Sequence, residues 1–394
     1  MSAIIDIPVS KIAPYVEMNI RTQLKANAEG KASACMMISG PPGIGKTAVF
    51  HDFCVKNDYG LVAKYMGTMM VEQITGLPKG LTDEKSVHTE WTIPEIFNFE
   101  KMLVKPSTPN RPIILFLDDI HLANKQIQAY QFQLLTYKAI HGHQLPKNVA
   151  IVMAGNRSED KAGFNQIMAP ISNRMVFINT SVDHEQWVIQ YAVPSKLRHD
   201  VITFIQQHPE MISGTPMESG PWPSPRSWSN CSRDMDEWEA MHGNIDVKAL
   251  QCIVCGHVGT TVATKFIEYR NLFMQWEAAL FLDGRRTLTQ EDKTKFENGN
   301  KIGAYCLLQA CTGELIKRLR ANNFKLNDSL NANIDVLKNL ISGTFIKHAS
   351  EIVPLGIQLI MLSEQANGVQ SPIIARRLIS DPEVIKRMGV LVEH

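Results

Sequence analysis

Eight consecutive residues, Gly40-Pro41-Pro42-Gly43-Ile44-Gly45-Lys46-Thr47, carry the most legible chemistry in this chain. They fit G-x-x-x-x-G-K-S/T at every required position. Glycines let a turn direct its backbone N–H groups inward around an anion, and a following helix adds the positive end of its dipole. Lys46 is expected to reach the β- and γ-phosphates, and the Thr47 hydroxyl to ligate Mg²⁺. Holding a triphosphate is not hydrolysing one, which also needs a metal carboxylate and a group to position water. The apolar run Ile113–Leu117 ends in Asp118-Asp119. Asp118 is expected to hold Mg²⁺, directly or through water, and Asp119 to polarise the attacking water. A further apolar run, Val149–Ala154, leads into Gly155-Asn156. A polar side chain at the end of a strand beside the phosphate loop is placed to hydrogen-bond the γ-phosphate or that water.

These residues need a frame. Ala34–Ser39 reads as a buried strand before the loop, and Thr47–Cys54 as a helix after it. Residues 12–28 read as an amphipathic helix, Leu61–Met66 as a second strand, and 126–140 as helical. Ile113–Leu117 is a continuous apolar run, which suits a central parallel strand buried on both faces. Met175–Ile178 is one more strand. Gly and Pro punctuate 68–98, where Thr89–Ile93 looks like a short strand, so a surface hairpin is expected there, with a second tip at His141–Pro146. Strands alternating with helices from 34 to 180 predict an α/β fold, a parallel sheet with helices on both faces. Beyond 183 the pattern is helical, apart from a Ser/Gly/Pro-rich loop at 212–226. The expected division is a nucleotide-binding core over 1–194, a helical lid over 195–283 and a C-terminal helical region over 284–394.

Taken together, these motifs resemble the AAA+ ATPases, and within them the MoxR type, over roughly residues 10–275. Gly40–Thr47 looks like the family's Walker A loop, Leu115–Asp119 like its Walker B strand, and Asn156 falls at its sensor 1 position. Pro170–Met175 resembles the segment whose arginine reaches a neighbouring subunit's nucleotide, which makes Arg174 the candidate arginine finger. Arg157, beside the sensor position, is its rival. Ser224–Trp228 resembles the sensor 2 segment, with Arg226 touching the γ-phosphate in cis. The resemblance implies ATP and Mg²⁺ as cofactors, a homo-oligomeric, hexameric ring in the family's manner, and a partner protein carrying a von Willebrand factor A domain. Two residues depart from the family. Asp119 stands where a glutamate is usual, one methylene longer, so slow hydrolysis is expected. His121-Leu122 stands where Asn-Arg often follows.

Bulk properties narrow the alternatives. The 394 residues carry 40 Lys plus Arg against 39 Asp plus Glu, a net charge of +1. That balance offers no electrostatic pull toward nucleic acid or an anionic membrane. The N-terminus lacks a basic segment followed by an apolar one, and no apolar run is long enough to cross a bilayer. Seven cysteines, an odd number, fit reduced thiols and a cytoplasmic setting. A nucleotide-controlled switch with negligible turnover and a nucleic-acid motor stand as the alternatives to a protein-remodelling ATPase. Cys252 and Cys255, with His257 close by, give half of a zinc-site spacing, and core thiols are expected instead. Trp222, Trp228 and Trp238 are expected to anchor core or loops, and Lys317-Arg318-Leu319-Arg320 to form the solvated face of a helix.

Overall fold

The computed structural model describes residues 6–82, 87–157, 167–215, 220–345, 352–369 and 372–379. Contacts divide the chain into two compact units, 1–183 with 213–226, and 184–212 with 227–394.

The first unit is built on a parallel sheet. In chain order its strands are β1 (Asp6–Pro8), β2 (Cys35–Ser39), β3 (Gly60–Tyr65), β6 (Ile113–Asp118), β9 (Val149–Gly155) and β10 (Met175–Ser181). Two hairpins stand apart from it: β4 (Pro78–Thr82) with β5 (Val87–Trp91), and β7 (Ala139–Ile140) with β8 (His143–Gln144). The sheet order is β1-β10-β2-β9-β6-β3, every pairing parallel. All residues of β2, β6 and β9 are buried, because helices cover both faces. Alternate side chains therefore serve two cores. Met36, Ile38, Ile114, Phe116, Val152 and Ala154 pack with Val16 and Ile20 of helix Ala13–Glu29 and Phe50 of helix Lys46–Asn57. Met37, Leu115, Leu117, Ile151 and Met153 pack on the other side with Ile127, Leu134 and Leu135 of helix Lys125–Tyr137.

That last helix ends earlier than the sequence predicts. Lys138 adopts a left-handed φ of 52° and caps it, with no Gly or Pro to announce the stop. Ala139 and Ile140 turn into β7 instead. The two hairpins meet: the Trp91 ring stacks on His141 with centroids 4.0 Å apart, and His143 Nε2 lies 2.8 Å from the Trp91 carbonyl oxygen.

The second unit is helical, including His199–Gln207, most of Pro225–His242, Val247–Val258, Thr260–Met274, Lys301–Ala321, Asp328–Leu340 and Val353–Ala366. Trp228, Phe204 and Phe266 form its aromatic centre, with ring centroids 5.2–5.5 Å apart. Asp200, 4% exposed, lies between two arginines, with Arg198 at 3.2 Å and Arg270 at 3.1 Å. Glu239 binds the same two guanidinium groups. Among the described residues no helix is long and apolar enough to cross a membrane.

Two sequence expectations fail in this unit. Cys252 is exposed and Cys255 half-buried, not core thiols. Helix Val247–Val258 buries Ala249, Leu250, Val254 and Val258, a stripe narrower than its apolar composition implies, and both cysteines fall off it. His257 pairs with Asp234 at 2.7 Å, and no group of three metal-binding side chains occurs among the described residues. The basic run at 317–320 is also not a uniformly solvated face. Arg318 pairs with Asp283 at 2.7 Å and Glu314 at 2.8 Å, and the Arg320 Nε is buried.

Candidate nucleotide site

Strand order decides what meets what. β9 lies between β2 and β6, in the registers Ser39↔Gly155 and Leu117↔Met153. The C-terminal ends of these three strands therefore bring together the phosphate loop after β2, Asp118 and Asp119 at β6, and Asn156 after β9. Open parallel sheets bind ligands at this edge.

The loop is shaped by two glycines with positive φ, Gly43 at 81° and Gly45 at 97°. Any side chain at Gly40 would collide with Thr180, whose carbonyl oxygen would lie 2.7 Å from the new carbon. Lys46 opens the following helix and is 8% exposed. Its ammonium donates to the carbonyl oxygens of Gly40 at 2.7 Å and Pro41 at 2.9 Å, and to Asn156 Oδ1 at 3.2 Å. The charge thus lies across the cradle, against carbonyl and amide oxygens that a phosphate can replace. Thr47 Oγ1 donates to Asp118 Oδ2 at 2.8 Å. A hydroxyl and a carboxylate facing each other at that distance are a hard-oxygen pair of the kind Mg²⁺ selects, so these residues fit the ion.

Asp119 follows in the left-handed region, φ 53°, and its backbone N–H donates to Asp118 Oδ1 at 3.0 Å. Burial, and next the neighbouring Asp118 carboxylate, raise the Asp119 carboxyl above its ordinary value; His121, Lys46 and Arg226 pull it the other way without cancelling this. A raised carboxyl is a better proton acceptor from water.

Arg226 reaches the loop through the returning segment 213–226. Its backbone N–H donates to the Gly43 carbonyl at 3.2 Å, and Ser224 packs where a Gly43 side chain would stand. Its own side chain is exposed. Gly40–Thr47, Asp118, Asp119, Asn156 and Arg226 are therefore brought together. Arg174 is not. It precedes β10 at Met175, which pairs with Cys35 at the start of β2, and its carbonyl accepts from the Cys35 N–H at 3.0 Å. This is the opposite edge of the sheet from the loop, roughly 16 Å away along β2 at about 3.3 Å per residue. There Arg174 lies over the Phe132 ring at 4.4 Å and donates to the Pro170 carbonyl at 2.8 Å. Arg157 pairs with Asp6 at 3.6 Å.

His121 is the site residue that sequence reasoning missed, noted only as a departure from Asn-Arg. It is fully buried, and both ring nitrogens face Asn156.

Residues 36–178 match the family model of the ATPases associated with various cellular activities, AAA. No curated protein matches the chain. Among solved structures, the chain is similar to the RuvB Holliday junction branch migration motor of Thermotoga maritima, at 13% identity over 86% of this chain and 87% of that one, with a TM-score of 0.35. A RuvB point mutant from the same organism is similar at 13% identity over 86% of this chain and 88% of that one, with a TM-score of 0.37.

Proposed function

We propose that the AAA module at residues 36–178 works as a magnesium-dependent ATPase of the MoxR type, in a ring whose cycle remodels or matures a partner protein. The observation that carries this reading is the convergence of Lys46, Thr47, Asp118, Asp119 and Asn156 on one mouth of the sheet. Lys46 exchanges its loop carbonyls for the β- and γ-phosphate oxygens. Thr47 and Asp118 would hold Mg²⁺, which would supply charge neutralisation of the phosphates. Asp119 accepts the proton of the attacking water, and Asn156 and Arg226 bear on the γ-phosphate. As the terminal phosphoryl group departs, charge spreads over its oxygens, and fixed guanidinium groups stabilise that charge.

The edge position of Arg174 supports a role in trans. It stands away from its own loop, on a turn that a neighbour in a ring can meet. An arginine supplied this way contributes ~10³–10⁵ in rate. A partner bearing a von Willebrand factor A domain belongs to this reading as the expected recipient of the motion. The test is specific activity against protein concentration. Activity per chain should fall on dilution through ring dissociation, and an Arg174→Ala chain should regain turnover when mixed with Lys46→Ala chains, each supplying what the other lacks. A flat specific activity, or no rescue in the mixture, refutes the shared site.

A further inference from the structure

We propose that a cavity within the helical unit binds a small organic acid, its carboxylate held by Arg320 and its apolar body lying against Leu197, Phe273 and Leu359. This site stands independently of the ATPase reading.

The cavity measures about 460 Å³, inside the range of roughly 300–1,000 Å³ usual for small-ligand sites. Its space comes from small side chains. Ala310 and Gly313 stand on helix Lys301–Ala321, and Ala278 and Ala279 open the short helix Ala278–Leu282 that packs against it. A Cβ at Gly313 would lie 2.6 Å from His199 Cδ2, so glycine there also admits that ring to the wall. Leu197, Phe273 and Leu359 supply apolar wall. After Ala310 the long helix presents Gly313, Lys317 and Arg320, at spacings of three and four residues that keep them on one face. That face runs from small and apolar to basic.

Charge pairing around the cavity decides the sign of the ligand. Five carboxylates line it, and each is engaged by an arginine. Arg198 holds Asp200 at 3.2 Å, Asp236 at 3.0 Å and Glu239 at 2.8 Å. Arg286 holds Glu277 at 2.9 Å, and Arg318 holds Glu314 at 2.8 Å. Lys196, Lys317 and Arg320 line the same space, and none of the three forms an ion pair among the described residues. Arg320 is half-buried, and its Nε is buried with no hydrogen-bond partner among the described residues. Burial pulls its guanidinium below the ordinary arginine pKa, and Asp236 counters this without cancelling it. A desolvated cation short of an anion is costly, and a carboxylate offers a guanidinium two acceptors at once. His199 adds no charge, because burial brings its pKa down to about 4 and leaves the ring neutral near pH 7. The five engaged carboxylates favour a monoanion over phosphate, whose second charge they repel.

The test is equilibrium dialysis of the full-length chain with indole-3-acetate, 4-phenylbutyrate and octanoate, each against its neutral amide, with inorganic phosphate and Mg-ATPγS as competitors. At least one acid should bind saturably and at least tenfold tighter than its amide, the worth of one hydrogen bond to a charged group. Arg320→Gln should abolish that preference, and Lys317→Gln, at an exposed position, should reduce it about threefold. Ala310→Leu fills the cavity and should weaken acid and amide alike by about tenfold. Melting curves establish that each variant is folded, and if Ala310→Leu is not, the two charge variants decide alone. Saturating Mg-ATPγS should leave acid binding unchanged. Absence of saturable binding by all three acids, equal affinity for acid and amide, or an undiminished preference in folded Arg320→Gln would overturn the proposal. So would displacement by phosphate at matched concentration, or by Mg-ATPγS, which would seat the acid on the phosphate loop.

Discussion

Replacing Lys46 with methionine separates the loop's structure from its function. Methionine has similar length and keeps the buried stem packed, while the charge and three donors vanish. In the nucleotide-free protein the loss is small. The Gly40 and Pro41 carbonyls and Asn156 Oδ1 each lose one donor, but they border an open loop where water can replace it. Removing a largely buried ammonium also relieves its desolvation. The two effects oppose each other, and a stability change within about 1 kcal/mol is expected. With nucleotide bound the balance differs. Hydrogen bonds to a charged group contribute about 1.5–3 kcal/mol each. One to the β- and one to the γ-phosphate, less the loop contacts surrendered to make them, leave about 3 kcal/mol, or ~150-fold in Kd for ATP. ADP offers only the β-phosphate and should lose less. Calorimetric titration with ATPγS and ADP in Mg²⁺, beside a urea melt of the empty protein, measures both halves. A well-folded Lys46→Met chain that binds ATPγS within threefold of the parent would refute the placement of the triphosphate on this loop.

Two further outcomes follow from charged groups. At Asp200 burial alone would raise the carboxyl, but Arg198 and Arg270 outweigh it and hold it below its ordinary value. Such a group stabilises the fold above its unfolded pKa and loses that contribution as pH falls through the folded one. Asp200→Asn should cost about 3–5 kcal/mol near neutral pH by leaving two guanidinium groups short of a partner, and urea melts should show this deficit narrowing on acidification. Asp119 has the opposite sign. Its raised carboxyl favours the fold below the unfolded pKa, and that advantage fades as pH rises through the folded value. Asp119→Asn should therefore melt higher than the parent near neutral pH, by a margin that shrinks toward acid. Asparagine also accepts the left-handed backbone at this position.

What the sequence made legible was contiguous. The loop octet, the apolar run ending in Asp118-Asp119 and the strand ending before Asn156 each declare themselves within one short stretch. The sheet order then brings these stretches together as strands of a parallel sheet should. What stayed hidden depended on neighbours distant in the chain. His121 meets Asn156 only because β6 and β9 are adjacent and residue 155 has no side chain. Asp200 has Arg198 two residues before it, but nothing in its sequence surroundings announces Arg270. Cys252 and Cys255 escape burial because apolar composition marks a helix for burial but not how wide its buried stripe is. The helix before β7 stops short of its apolar pattern because Lys138, an ordinary residue, takes the cap conformation usually left to glycine.

Phosphate release at saturating Mg-ATP, compared between the parent chain and Asp119→Asn at a protein concentration that sustains assembly, bears most directly on the proposed activity. The parent is expected to turn over slowly, in keeping with the short Asp119 side chain. The variant is expected to bind ATP as well as the parent and release no phosphate above background. Hydrolysis by Asp119→Asn at the parent's rate would contradict the assignment of the water-activating carboxylate. A parent that binds Mg-ATP without measurable turnover would contradict the ATPase reading in favour of a nucleotide-controlled switch.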